Sequence, residues 1–130
     1  IRDRGNDCTL VATGRMVSFC ENAAQALAED GITCDIIDPR TTSPLDEDAI
    51  LDSVEKTGRL VVVDETPPRC SFAADIAALA AGEVFSSLKA PVRQITGPHS
   101  PVPFAKELEG EFVPSPTKIR DAVSEVVNFK

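Results

Sequence analysis

Leu60-Val61-Val62-Val63 is the stretch that most constrains what this chain can fold into. It shows no polar alternation, so it predicts a strand covered on both faces, and such strands belong to parallel sheets flanked by helices. Short apolar runs at Cys8–Thr13, Ile32–Ile37 and Val92–Thr96 predict three more strands. Helical periodicity fills the intervals. From Val17 to Asp30, the residues Phe19, Cys20, Ala23, Ala24 and Leu27 recur at the spacing of one helix face, and Gly31 stands where a helix-ending glycine belongs. Ser43-Pro44-Leu45-Asp46 reads as an N-cap serine, a proline in the first turn and a following acid; Ile50 and Val54 then face inward and Gly58 closes the helix. Ser71 caps a third helix with Phe72, Ile76, Leu79 and Ala80 on its face. Ser115-Pro116 repeats the capping pattern before a stripe of Ile119, Ala122, Val123, Val126 and Val127. Strands alternating with helices predict an α/β domain, a mostly parallel sheet with helices on both sides joined by right-handed crossovers.

Between the last strand and the last helix lies Gly97–Pro116, with five of the chain's ten prolines, its single histidine and two of its six phenylalanines. Proline fixes φ and removes a donor, so the segment is neither a central strand nor an uninterrupted helix. Val102, Phe104, Leu108, Phe112 and Val113 make it too apolar for a free linker. A structureless connection of this length in a compact domain is expected to act as a lid, a binding loop or an interface.

The 130 residues suit one domain, large enough to bury about two-thirds of its unfolded surface. A net charge of −8 opposes a nucleic-acid role, which needs a basic face, and favours a basic partner. No run approaches the ~18 apolar residues of a membrane span, and no polybasic cluster suits anionic lipid. With four cysteines, no C-x-x-C pair and one histidine, a zinc site is not expected. Cys8 and Cys34 sit in apolar runs as small hydrophobes, whereas Cys70, beside Arg69 at a helix start, is the thiol open to activation. Reduced thiols and a cytoplasmic location are the expectation. The chain opens on Ile1-Arg2-Asp3-Arg4 rather than Met, as expected for a piece of a longer protein.

Ligands in open α/β sheets gather at the carboxyl ends of the strands, which here supply Thr13-Gly14-Arg15, Asp38-Pro39-Arg40, Asp64-Glu65 and Thr96-Gly97-Pro98-His99. An anion-binding module would use Gly14, Arg15 and the following helix N-terminus, but no phosphate-loop fingerprint occurs. Asp64 and Glu65 are adjacent, so their side chains diverge; they read as acids ending a strand, held by Arg69 or Arg40. His99 has no serine elbow or cysteine nucleophile to activate and reads as a hydrogen-bonded loop residue. No catalytic, cofactor-binding or metal-ligating set emerges. Asp46, Glu47 and Asp48 suit the positive end of a helix dipole, and with Asp52, Glu55, Glu107, Glu109 and Glu111 they form a group suited to a basic partner.

Five motifs then occur in order: Asp7-Cys-Thr-Leu-Val-Ala-Thr-Gly-Arg-Met-Val17, Asp38-Pro-Arg-Thr-Thr-Ser-Pro-Leu-Asp46, Lys56-Thr-Gly-Arg-Leu-Val-Val-Val-Asp-Glu65, Pro101-Val-Pro-Phe104 and Pro114-Ser-Pro-Thr-Lys-Ile119. Over nearly its whole length the chain resembles the C-terminal, transketolase-type domain of the beta subunit of thiamine-diphosphate-dependent 2-oxoacid dehydrogenase decarboxylases, the pyruvate, branched-chain and acetoin enzymes. The resemblance implies a three-layer α/β/α domain with a mostly parallel, five-stranded sheet. It implies that thiamine diphosphate and magnesium bind elsewhere in the parent enzyme and that the isolated domain is inactive. It further implies assembly with an alpha subunit and a second beta subunit, and docking of the basic subunit-binding domain of the lipoyl acyltransferase. On that basis His99, Pro101, Val102, Pro103, Phe104 and Phe112 are the expected subunit interface, and Asp46, Glu47, Asp48, Glu109 and Glu111 the acidic docking surface. The location implied is the cytoplasm, or the mitochondrial matrix in a eukaryote. A transketolase-like or deoxyxylulose-phosphate-synthase-like parent is the alternative within enzymes. One departure stands out. Where the family shows Arg, two glycines and an aromatic after the third strand, this chain has Arg69-Cys70-Ser71-Phe72.

Overall fold

A computed structural model describes residues 1–130. The elements follow one another as β1 (Cys8–Ala12), α1 (Met16–Glu29), β2 (Cys34–Ile37), α2 (Glu47–Thr57), β3 (Leu60–Val63), α3 (Phe72–Glu83), β4 (Arg93–Ile95), α4 (Lys106–Phe112) and α5 (Pro116–Val127), with a single 3₁₀ turn at Phe85–Ser87. The four strands form one parallel sheet in the order β2-β1-β3-β4. Every residue of β1, β2 and β3 is buried, the burial that unalternating apolar runs require. One apolar cluster joins one sheet face to α1 and α5, and a second joins the other face to α2 and α3. The layers are therefore α/β/α.

The sheet has four strands rather than the five implied by the resemblance. What stands at the β2 edge is a one-residue antiparallel bridge, Asp3 to Ile36, tied by Arg2 N to Ile36 O at 2.7 Å and Ile36 N to Asp3 O at 3.1 Å. Two residues later Gly5 crosses so close to β2 that a Cβ there would lie 2.2 Å from the Cys34 nitrogen; only glycine fits.

Two capping expectations hold. Ser71 accepts from Ala74 N at the start of α3, and Ser115 accepts from Lys118 N at the start of α5, with Pro116 in its first turn. The third does not. Helix α2 starts three residues later than Ser43 suggests, with Asp46 as the N-cap, its carboxylate accepting from Ala49 N at 3.2 Å. Ser43–Pro44 instead forms a cis peptide inside a turn closed by the Thr42–Leu45 bridge.

A polar chain runs through the α2-side core. Asp35 is 1% exposed; it accepts from Gly5 N at 2.8 Å and from the Ser53 hydroxyl at 2.7 Å, and pairs with Lys56. Thr9 Oγ1 lies 2.8 Å from Ser53 Oγ and 2.9 Å from Thr57 Oγ1. Each polar group along this chain thus has a partner, without which its burial would cost free energy. Arg59 ties off the far end of α5, its Nε donating to Val126 O at 2.9 Å.

Candidate functional site

The carboxyl ends of the strands come first, because there the topology gathers loops. Gly14, at φ +56, supplies the left-handed turn from β1 into α1; a Cβ on it would meet no atom within 4 Å, so backbone conformation rather than space calls for glycine. The next residue, Arg15, reaches across to the β3–α3 turn, Nε to Glu65 Oε2 at 2.8 Å. Arg15, not Arg69 or Arg40, therefore holds Glu65, and Arg40 pairs with Asp38 at 3.2 Å. Asp64 does turn away from Glu65. It is buried, and its carboxylate accepts from Thr66 N at 3.1 Å, Thr66 Oγ1 at 2.7 Å and Ala73 N at 3.4 Å. All its bonds go to the turn and to the start of α3, so it holds the loop rather than a ligand.

Beside Asp64 lies a cleft of about 330 Å³ lined by Thr13, Thr42, Thr66, Arg69, Cys70 and Ser71. Cys70 is exposed and holds φ +50, the left-handed region where the family pattern has glycine. The backbone has kept a glycine conformation under a residue with a side chain, at a cost of about 1–2 kcal/mol. The other thiols are buried. Burial pushes Cys20 and Cys34 each up to about 12 and Cys8 higher still.

The Gly97–Pro116 segment is not structureless, since it contains α4. This helix ends by turning Phe112 inward. Phe112 is 5% exposed and belongs to the core on the α1–α5 side of the sheet; it packs on Gly97, where a Cβ would sit 2.5 Å from its ring. Phe112 is thus a core residue of this chain, which corrects its assignment to an interface. The rest of that set stays outside: His99, Pro101 and Val102 are exposed, Pro103 half-buried, and Phe104 is fully exposed at 105%. No hydrogen bond holds His99, contrary to its reading as an anchored loop residue. Val102, Phe104 and Leu108 are exposed, and Leu108 lines a hollow of about 280 Å³ between the prolines and α4.

The structure separates the acids that the chain order suggested as one group. Asp46, Glu47 and Asp48 begin α2 on one side of the sheet, whereas Glu107, Glu109 and Glu111 lie on α4, whose Phe112 packs on the other. All six are exposed. They make two acidic surfaces, not one. A second apolar surface escaped the sequence reading: a groove of about 510 Å³ in which seven of nine lining residues are hydrophobic, including Phe85 and Phe129. The available signal was α3 itself, whose residues are apolar nearly all round.

Against known proteins, residues 1–119 match the family described as the transketolase C-terminal domain. Among relatives, the beta subunit of acetoin:2,6-dichlorophenolindophenol oxidoreductase of Bacillus subtilis is 50% identical over 127 residues, 98% of this chain and 37% of that protein. The pyruvate dehydrogenase E1 component subunit beta of Rickettsia bellii is 40% identical over 126 residues, 97% of this chain and 39% of that one. The 2-oxoisovalerate dehydrogenase subunit beta of Bacillus subtilis is 33% identical over 130 residues, 99% and 40%. The chain thus spans 37–40% of the length of these relatives. A solved split-gene transketolase, an inactive beta4 tetramer, shares the fold with a TM-score of 0.83 at 23% identity, covering 98% of this chain and 40% of that one. On the match across its sheet and helices, this chain belongs to the transketolase C-terminal domain family.

Proposed function

We propose that this chain is the assembly domain of the beta subunit of a thiamine-diphosphate-dependent decarboxylase serving a 2-oxoacid or acetoin dehydrogenase. The parent would oxidatively decarboxylate its substrate or cleave acetoin and pass the acyl group to a lipoyl acyltransferase. The observation that carries the reading is the 50% identity along 98% of the chain to an acetoin oxidoreductase beta subunit. Identity to dehydrogenase and oxidoreductase beta subunits, at 33–50%, exceeds the 23% shared with the split-gene transketolase, which favours a parent of the dehydrogenase kind over a transketolase-like one.

The residues present do not fit thiamine diphosphate or its magnesium. A diphosphate needs converging cations, backbone N–H groups or a bound metal, whereas no three acidic, histidine or cysteine side chains converge on one point. Asp64 spends its oxygens on Thr66 and Ala73, and Arg15 is paired with Glu65. The same pairing weighs against a stand-alone anion-binding module at Gly14 and Arg15.

What this domain offers is surface. Val102 and Phe104, exposed beside α4, supply an apolar contact of the kind an alpha or second beta subunit would cover. The carboxylates on α2 and α4 would attract a basic acyltransferase domain. No helix is long and apolar enough to cross a membrane. The location that goes with this reading is the bacterial cytoplasm or, in a eukaryote, the mitochondrial matrix.

A chimaera tests this. The matching C-terminal part of the Bacillus subtilis acetoin oxidoreductase beta subunit is replaced by this chain, and the product is expressed with its alpha subunit. The expected result is an assembled alpha–beta complex with acetoin-dependent dye reduction. A folded chimaera that leaves the alpha subunit free in solution overturns the proposal.

A further inference from the structure

The groove between α3 and the segment leading into β4 encloses about 510 Å³, within the range of small-molecule sites, about 300–1,000 Å³. Ala77 and Ala81 supply its α3 wall, where methyl groups leave the space open. Leu88, Ala90 and Val92, on the approach to β4, are half-buried or buried. Two aromatic rings line the groove while facing water: Phe85 is 74% exposed and Phe129 49%. Exposed rings gathered around a hollow mark a surface that something covers.

Lys89 is the only charged or polar residue in that lining, and the fold holds it in place. Its backbone N–H donates to Gly58 O at 2.8 Å. Its Cγ, Cδ and Cε lie so close over Gly58 that a Cβ there would come within 2.7–2.9 Å of them. The stem is thus laid on the turn that closes α2. The chain has 21 acidic side chains, yet none pairs with the Lys89 ammonium.

We propose that this groove binds a medium-chain fatty carboxylate, its alkyl tail against α3 and the two rings and its head group on the Lys89 ammonium. One cation beside an apolar hollow is complementary to a ligand with one anionic head and no other polar group. A nucleotide or sugar phosphate would bring hydroxyls and ring nitrogens for which the lining has no partners. A basic partner domain would meet the wrong charge, so the site stands apart from the carboxylates of α2 and α4. Burying one methylene raises affinity about fourfold, and an exposed ion pair adds at most about fivefold. The tail therefore supplies the affinity and Lys89 the choice of head group.

The test is titration of the isotopically labelled 130-residue chain with hexanoate, octanoate and decanoate below their micellar concentrations, followed by amide shifts in nuclear magnetic resonance. Saturable shifts are expected at Ala81, Phe85, Lys89 and Phe129, with affinity rising about two- to fourfold per added methylene. Phe85→Ser, which changes a ring already facing water, should weaken decanoate at least about tenfold. Lys89→Met keeps the stem over Gly58 and removes the charge; it should weaken octanoate about three- to fivefold and leave octanol unchanged. Phe104→Ser, on the proline loop, should alter neither. Shifts that fail to saturate or fall on the proline loop overturn the inference, as does an affinity indifferent to tail length or to Phe85→Ser. A Lys89→Met chain that loses octanoate and octanol alike, or neither, also overturns it, because the charge would then select nothing.

Discussion

Removing the charge of Asp35 should cost this domain stability at neutral pH and progressively less in acid. Burial alone would push its pKa up. Against that, the Lys56 ammonium, the Gly5 N–H and the Ser53 hydroxyl together hold it below the ordinary carboxylate value. Asp35→Asn keeps the shape and an acceptor for Gly5 but turns two charge-assisted hydrogen bonds into neutral ones. Bonds to charged groups contribute about 1.5–3 kcal/mol against about 0.5–1.5 for neutral ones, so the two changes cost about 2 kcal/mol. Lys56 is 42% exposed on its side chain, and solvent screening limits its share to less than about 1 kcal/mol. The expected loss at pH 7 is about 2–3 kcal/mol, and Asp35→Ala, which strands both donors, should lose more. The folded pKa lies below the unfolded value of about 3.9. The charged form's stabilisation is therefore fully present above about pH 5 and disappears as pH falls through the folded pKa. Urea unfolding followed by far-ultraviolet circular dichroism, at pH 7 and again near pH 3, reads the difference between wild type and Asp35→Asn. A deficit equally large at both pH values would refute the reasoning, because it would show that shape rather than charge holds the network.

Two other outcomes are expected. Cys70→Gly should raise the midpoint of thermal unfolding by a few degrees, because relief of the left-handed strain, about 1–2 kcal/mol, exceeds the added chain entropy of glycine, about 0.5–1 kcal/mol; a lowered midpoint would contradict a strained Cys70. Phe112→Ala should lose about 3–5 kcal/mol, whereas Phe104→Ala should stay within about 0.5 kcal/mol as a surface change, and equal losses in denaturant titrations would show that the loop packs differently.

Much of the fold was legible because its signals are local. The Leu60–Val63 run and its counterparts in β1 and β2 needed no distant partner to declare buried strands, the Val92–Thr96 run gave the partly exposed edge strand β4, and Ser71 and Ser115 cap their helices through N–H groups three residues on. Ser43 misled for the same reason in reverse. It satisfies a local pattern, but the chain from Thr42 to Leu45 closes a turn and leaves Asp46 to cap. Of the residues expected at an interface, those of the loop stand outside the core, whereas Phe112 is buried in it. Both Phe104 and Phe112 are phenylalanines in one acidic, proline-rich stretch, and nothing within that stretch says which ring meets the sheet.

By itself, then, the sequence determined the strands, the helix faces, most of the helix ends and the family, since periodicity, capping and ordered motifs act over a few residues at a time. Tertiary structure alone decided that Arg15 rather than Arg69 holds Glu65, that Asp35 gathers Gly5, Ser53 and Lys56, that Phe112 goes inward over Gly97, and that the acids of α2 and α4 stand on opposite sides of the sheet. The physical reason is distance along the chain: each of those contacts joins residues 15 or more positions apart, and packing selects them only once the crossovers have set the helices on their faces.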